Sequence, residues 1–398
     1  MNKQIKQNWF LLGNFPLISA AEIAAVLKLA PDKFIFNPPW LQTDITGVEA
    51  EKLMVRLGGT IKIAEYLGTA KNEDDLARMI LGQLSAVSGK AIFGLSAYFG
   101  DKNETVDWVE DLGKTIKKTL KEKGASARYV FNREPALSSV TVQKNNLIKK
   151  GFEFLITRDG GGYSFARTVA VQPFEDWGTR DFGRPERDDV SGMLPPKLAR
   201  MMLNLSGAGQ ESALLDPFCG SGTIISEALA LNFKDITGTD ISEKAVEDTK
   251  KNIEWLKNKM PDTGTKIKIF TAKADDLSKK IPAVSIDAIV SEPYLGRPLK
   301  GRETRTELMK QADELKTLYV SALKELDKIL KKNGVVVFIL PKFRFGNDWL
   351  SVDLSDTIAK LGWRAEPLLK TEDREYGSML YARSNQRVGR EIWRFRKI

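Results

Sequence analysis

Asp216-Pro217-Phe218-Cys219-Gly220-Ser221-Gly222-Thr223 is the stretch whose reading settles the architecture. It follows a short apolar run at 213–215 and leads at once into an apolar-periodic segment near 222–231. A strand, a glycine-rich turn and a helix in direct succession open a βαβ unit. Gly220 and Gly222 let the backbone turn tightly and come close to a ligand. The helix that follows offers unpaired N–H groups at its first turn. The loop reads Asp-x-Phe-x-Gly-x-Gly. It lacks the Gly-x-Gly-x-x-Gly of dinucleotide binders and the Lys-Ser/Thr of a phosphate-binding P-loop.

Outward from the loop, strand and helix patterns alternate strictly. Strands are expected at 213–215, 236–239, 267–270, 286–290 and 335–340, and helices near 222–231, 243–257, 306–331 and 347–361. That alternation predicts an α/β fold, a doubly wound and mainly parallel sheet. The last two strand candidates, 364–369 and 378–384, have no helix between them and are expected to close the sheet as an antiparallel pair. The second strand ends at Asp240, 24 residues after Asp216. An acid there is placed to accept hydrogen bonds from both hydroxyls of a ribose. Upstream, Pro195-Pro196 opens a helix whose Leu198, Met201, Met202 and Leu205 fall on one face.

The first half reads as smaller α+β units. Strands are expected at 9–12, 53–57, 61–63, 91–98, 127–131 and 152–157, and helices near 73–88, 104–123 and 137–150. A further helix is expected to open at a Ser19 cap, with Glu22 in the capping-box position. Gly160-Gly161-Gly162 between two apolar runs reads as a hairpin. Pro, Gly, Asp and Arg cluster from Gln172 to Pro185, as in an interdomain linker. The expected organisation is an N-terminal region 1–170, a linker 171–194 and a catalytic domain 195–398.

Composition excludes several chemistries. The chain has 398 residues, one cysteine and no histidine. No disulfide within the chain, thiolate zinc site, histidine metal site or imidazole base is available, so no metal is expected. Charged residues at 28% and hydrophobic ones at 42% are a normal globular balance. No apolar run has the ~20 residues of a membrane span, and Met1–Phe10 carries no secretory core, so a cytoplasmic protein without membrane attachment is expected. The formal charge of +9 favours a polyanionic partner. Two local features fit one. Lys114, Lys117, Lys118 and Lys121 form a helical stripe opposite Leu112, Ile116 and Leu120. Arg390, Arg394, Arg396 and Lys397 interleave with Trp393 and Phe395. The first can contact nucleic acid or be a solvated helix face, and the second can contact nucleic acid or pack its aromatics on the sheet.

The Asp216–Thr223 loop resembles motif I of class I S-adenosylmethionine-dependent methyltransferases. The resemblance implies that Asp216, Phe218, Gly220, Gly222 and Thr223 form the cradle of the methionine moiety. It implies that Asp240 holds the ribose, that Ile241 packs on adenine, and that Asp275, with Asp276 beside it, receives the adenine amino group.

The fourth strand runs into Ser291-Glu292-Pro293-Tyr294-Leu295-Gly296. This position is similar to the Asp/Asn-Pro-Pro-Tyr turn of enzymes that methylate exocyclic amines of nucleobases. Such an amine is a poor nucleophile, because its lone pair is delocalised into the ring. A side-chain oxygen and a backbone carbonyl that accept its two N–H bonds turn the lone pair toward the methyl donor. Aligned on Gly296, Glu292 is the acceptor, Pro293 the rigid turn and Tyr294 the stacking ring. Aligned on Pro-Tyr, Ser291 takes the acidic position. The first alignment keeps the carboxylate and is preferred. Arg297, Lys300, Arg302 and Arg305 follow and either suit phosphates flanking a target nucleotide or form a solvated, mobile loop.

Taken over nearly its whole length, the chain resembles THUMP-containing RNA methyltransferases, in particular the tRNA guanosine-10 N2-methyltransferase group. The strings that carry this are Phe10-Leu11-Leu12-Gly13, Arg56-Leu57-Gly58-Gly59-Thr60-Ile61-Lys62-Ile63 and Met193-Leu194-Pro195-Pro196-Lys197-Leu198-Ala199-Arg200, with Arg184-Pro185 and the two turns above. The resemblance implies a ferredoxin-like and THUMP N-terminal module that grips tRNA, followed by a Rossmann-like domain with a seven-stranded sheet. It implies transfer of a methyl group from S-adenosylmethionine to guanine N2 in tRNA, with a small activator subunit as a further candidate partner. A DNA adenine-N6 or cytosine-N4 methylase, and a cofactor- and RNA-binding subunit with weak catalysis, remain open alternatives.

Overall fold

The computed structural model describes residues 7–398 apart from 46, 48, 88, 188–192 and 262. Residues 1–6 of the N-terminal segment, residue 88 of one expected helix and residues 188–192 of the expected linker therefore lie outside the described residues. The chain divides into two compact units. One comprises Met1–Pro16, Asp32–Arg56 and Thr60–Glu175; the other comprises Leu17–Pro31, Leu57–Gly59 and Asp176–Ile398. Among the described residues no helix is long and apolar enough to cross a membrane.

The first unit is built on eight strands: β1 (Asn8–Leu12), β2 (Phe34–Asn37), β3 (Trp40–Thr43), β4 (Thr60–Ala70), β5 (Ala91–Ala97), β6 (Ala127–Val130), β7 (Phe152–Asp159) and β8 (Gly162–Val171). They form one mixed sheet in the order β2-β3-β1-β4-β8-β7-β5-β6. Helices Glu73–Ser85 and Lys102–Glu122 bury Leu76, Ile80, Val109 and Ile116 against Phe93, Phe154 and Phe165. The expected hairpin at Gly160–Gly162 is present, with Asp159 opposite Gly162.

Two of the segments expected in this half differ, and two strands are additional. The run at 53–57 is not a strand but the end of helix Ala50–Arg56. Leu53 and Met54 are buried while Lys52, Val55 and Arg56 are exposed, a helical rather than an alternating pattern. The helix expected over 137–150 is only Ser139–Lys144, and the left-handed φ of Asn146 (53°) turns the chain just beyond it. The strands β2 and β3, four residues each around Pro38-Pro39, gave no periodic signal.

The second unit carries β9 (Ala213–Asp216), β10 (Asp235–Asp240), β11 (Lys266–Thr271), β12 (Ile286–Ser291) and β13 (Leu330–Phe345) as parallel strands. The remaining strands are β14 (Asp348–Ser351), β15 (Trp363–Glu366), β16 (Leu369–Lys370), β17 (Glu375–Tyr376), β18 (Met379–Tyr381) and β19 (Val388–Lys397). The sheet order is β11-β10-β9-β12-β13-β19-β15, with β14 on β13 and β18 on β19. The main path has the seven strands that the resemblance implies, but one of them, β19, was not among the strand candidates. The order reverses between β9 and β12, so the crevice at their carboxyl ends is where a ligand binds in such a sheet.

The C-terminal half also needs corrections. The segments at 364–369 and 378–384 do not pair with each other. Their strands β15 and β18 each pair antiparallel with β19. The basic-aromatic C-terminal string is therefore a central strand, and its cations are used internally. Arg396 meets Glu366 at 2.7 Å, and Lys397 meets Asp327 at 3.0 Å. The helix expected over 347–361 is split. Gly346, at a φ of 60°, turns β13 back into β14, and only Ser355–Lys360 is helical. Helix Phe174–Phe182 occupies part of the expected linker.

Helix Pro196–Ser206 is buried at every residue but Lys197. Full burial of Leu198, Met202 and Leu205, each 0% exposed, contributes about 1.5–3 kcal/mol per side chain. Helix Pro16–Leu27 begins three residues before Ser19, so neither Ser19 nor Glu22 caps it. Glu22 instead accepts hydrogen bonds from Gly58 N, Gly59 N and Asn204 Nδ2 at 2.8, 2.8 and 2.7 Å. Burial still raises its pKa to about 6.

Candidate active site

β9 ends at Asp216, and the glycine loop begins there. Asp216 is 2% exposed. Its Oδ1 accepts from Ser291 Oγ at 2.6 Å and from Phe218 N at 3.2 Å. Burial nevertheless pushes its pKa up to about 7, with the nearby Asp240 and Glu292 carboxylates adding to the rise. Gly220 and Gly222 both have left-handed backbones, at φ of 52° and 85°. A Cβ on Gly222 would lie 2.7 Å from the Thr249 side chain, whereas one on Gly220 would meet nothing within 4 Å. Gly220 thus faces open space. Cys219 is buried, and burial raises its thiol pKa, which fits an inert packing residue.

Asp240 ends β10 and is stitched to the loop. Its Oδ2 accepts from Gly220 N at 3.0 Å and its Oδ1 from Ser242 N at 2.9 Å. Each oxygen keeps a second lone pair, which is what two ribose hydroxyls require. Ile241 is 67% exposed, an apolar side chain on an otherwise polar rim. Asp275 is exposed, while Asp276 is engaged by Lys279 at 2.7 Å, which leaves Asp275 the more available of the two. Phe218 is half-buried, edge-on to Phe338. Thr223 is turned inward, its Oγ1 accepting from Arg184 Nη1 at 2.7 Å. An open glycine cradle, two acids with spare lone pairs and an exposed apolar contact fit an adenosine-bearing cofactor with a zwitterionic amino-acid tail.

The acceptor turn leaves β12 beside this loop. Ser291 is 0% exposed and donates to Asp216, so it faces the loop and not a substrate. The Glu292 side chain is 13% exposed and its Oε1 accepts from Arg390 Nε at 2.5 Å. Burial raises the Glu292 pKa, and Arg390 opposes that rise. Pro293 is buried. Tyr294 is 52% exposed, and its carbonyl accepts from the buried Tyr319 hydroxyl at 2.6 Å. Gly296, at a φ of 99°, ends the turn, where a Cβ would lie 2.3 Å from Gln311 Nε2.

Ser291, Glu292 and Tyr294 are therefore each held by a different element, which gives a rigid turn with one exposed ring. Two of those holders, Arg390 and Tyr319, carried no local signal, because each acts across the sheet or from a distant helix. Arg297 pairs with Glu314 at 3.3 Å on the exposed segment that follows. In the first unit the Lys114 stripe is exposed, with Lys114 on Glu110 at 2.8 Å. Among the described residues no group of three His, Cys, Asp or Glu side chains is placed to hold a metal ion.

Residues 184–351 match a family model described as RMKL-like, methyltransferase domain. A stretch of 105 residues is 36% identical to the tRNA (guanine(10)-N2)-dimethyltransferase of Methanothermobacter thermautotrophicus, covering 26% of this chain and 28% of that protein. Another, of 152 residues, is 31% identical to the protein of the same name from Methanocaldococcus jannaschii, 38% of each chain. The U6 snRNA (guanine-N(2))-methyltransferase THUMPD2 of Homo sapiens is 27% identical over 146 residues, 36% of this chain and 24% of that one. The chain thus matches well under half the length of each of these relatives. Among solved structures, TrmN from Thermus thermophilus aligns with 98% of this chain and 100% of its own at a TM-score of 0.51 and 14% identity, a likeness of fold. The second unit has the class I methyltransferase fold, and the cofactor of that domain is S-adenosylmethionine.

Proposed function

We propose that this chain methylates an exocyclic base amine in tRNA, namely guanine N2 at a position-10-like nucleotide. The observation that carries the reading is the rigid Glu292-Pro293-Tyr294 turn, tied through Ser291 to the cofactor loop at Asp216. The likeness to guanine-N2 RNA methyltransferases supports the choice of amine and of RNA.

When bound, S-adenosylmethionine supplies an electrophilic methyl group on a sulfonium. The residues of this chain do the rest by positioning. Asp240 accepts the ribose hydroxyls, Ile241 covers the adenine face and Asp275 receives its amino group. Asp216 faces the ammonium group of the amino-acid tail. The exposed Tyr294 ring stacks the target base, and Glu292 accepts an amine N–H so that the lone pair turns toward the methyl. The first unit and the basic segment from Arg297 to Arg305 hold the RNA through its phosphates. The same reading places the protein in the cytoplasm, with tRNA and a small activator subunit as partners.

The test is methyl incorporation from labelled cofactor into tRNA, with the product nucleoside identified by mass spectrometry. N2-methylguanosine is expected. Transfer to duplex DNA but not to tRNA overturns the reading. The Arg390–Glu292 ion pair favours one second reading, a cofactor- and RNA-binding subunit with weak activity of its own. Wild-type protein that binds both ligands and transfers nothing would establish it.

A further inference from the structure

Helix Glu243–Lys257 shows its partners a buried stripe that is not wholly apolar. Between Val246, Ile253 and Leu256 lie Thr249, 0% exposed, and Asn252, 1% exposed. Both face the cofactor loop. Thr249 Oγ1 donates to the Gly220 carbonyl at 2.6 Å. Asn252 Nδ2 donates to the Ser221 carbonyl at 2.9 Å. Two consecutive carbonyls of the loop are thus turned toward this helix.

The peptide bond is planar and trans, so its C=O and N–H point in opposite directions. With the Gly220 carbonyl fixed on Thr249, the Ser221 N–H points to the other side, the side on which Gly220 opens to space. The next peptide is fixed at both ends, since the Gly222 N–H donates to the Cys219 carbonyl at 2.8 Å. Asn252 also does a second task. Its Oδ1 accepts from Glu186 N and its Nδ2 donates to Glu186 O, both at 3.0 Å, in the manner of a neighbouring strand. Arg184, two residues earlier, reaches Thr223 at the far end of the loop.

We propose that Thr249 and Asn252 are positioning residues for the cofactor. They touch no ligand. Thr249 aims the Ser221 N–H outward as a donor to the anionic end of the cofactor's amino-acid moiety. Asn252 locks the following peptide and fastens the Arg184–Glu186 segment to the same loop. The inference rests on the cofactor reading of the loop and is independent of which nucleotide is methylated.

The test uses the full chain and S-adenosylhomocysteine as the probe, by calorimetry, beside melting curves without ligand. Thr249→Val keeps the shape and loses the donor; Asn252→Ala loses both links. Each is expected to weaken binding tenfold or more and to raise KM for the cofactor with kcat changed less than twofold. Thr249→Ser restores binding. In the wild type the ligand slows exchange of the Ser221 amide, and in Thr249→Val it does not. Wild-type affinity in folded Thr249→Val overturns the proposal, as does equal loss in the Ser and Val variants, which would make the effect one of packing. Failure of the wild type to bind the probe overturns the cofactor reading and this inference together.

Discussion

Ser291 Oγ donates to Asp216 Oδ1 across 2.6 Å, joining the last residue of β12 to the last residue of β9. The two strands are neighbours at the switch point of the sheet. The bond therefore ties the turn that would carry the methyl acceptor to the loop that would carry the donor. In a transfer that depends on in-line placement, an error of an ångström in either turn is costly.

Asp216 titrates abnormally, and this has a sign. Burial holds its pKa near 7 in the folded protein against an ordinary value of 3.8. Between these values the native state binds a proton that the unfolded chain has lost, so its contribution to stability falls as pH rises from about 4 through 7. Relative to wild type, Asp216→Asn should gain about 3 kcal/mol in unfolding free energy between about pH 5 and about pH 8. The ammonium group of the cofactor's amino-acid tail favours the carboxylate, so wild-type affinity for S-adenosylhomocysteine should rise over the same interval. Denaturant melts and calorimetry across pH check both. A pH-independent difference in stability, with flat affinity, refutes the assignment.

Arg390 compensates a largely buried Glu292 carboxylate. Arg390→Met should cost about 3 kcal/mol, because a charge is left without its partner. The isolated carboxyl would then have a further raised pKa, so the loss should be largest at neutral and higher pH and shrink toward about pH 4. The double change Arg390→Met with Glu292→Gln should recover most of it. Glu292→Gln alone should lower methyl transfer by about 10²-fold with cofactor affinity unchanged. Full activity in that variant would remove Glu292 from the acceptor role.

Tyr319 holds the acceptor turn from behind through the Tyr294 carbonyl. Tyr319→Phe keeps the ring and deletes one buried hydrogen bond, a loss of about 1 kcal/mol in stability. If that bond sets the pose of the Tyr294 ring, transfer should slow about tenfold while calorimetric binding of S-adenosylhomocysteine stays as in the wild type. A change in binding without a change in rate points the other way.

Asp240 supports the loop through Gly220 and has lone pairs to spare. Asp240→Ala should weaken cofactor binding by about 1.5–3 kcal/mol, the worth of charged hydrogen bonds. An unaltered dissociation constant would contradict its placement.

The parallel core of the second unit was legible because its signals are local. β9 and β12 are short, largely apolar runs, and Asp216 and Asp240 fall where β9 and β10 stop. The same locality misled at 53–57, where five residues are too few to separate helix from strand. At the C-terminus, Arg390, Arg394 and Arg396 with Trp393 and Phe395 left two readings open, nucleic-acid contact or packing on the sheet, and the fold bears out the second. There the alternation along β19 was present in the residues, but its partners, Glu292 and Glu366, are distant in sequence.

From residue order alone came the α/β class, the glycine loop with Asp216 and Asp240, and the acceptor turn at 291–296. The class and the glycine loop rest on periodicity and on turns made by adjacent residues, which short-range sterics dictate, and the acceptor turn rests on its resemblance to a known motif. Only the folded chain decided what each of those side chains does. It turned Ser291 inward onto Asp216, paired Glu292 with Arg390, set Tyr319 behind Tyr294, and placed Glu22 on Gly58 and Gly59 instead of at a helix cap. Those choices depend on which polar groups lose water together, and that is settled by packing between segments far apart in the chain.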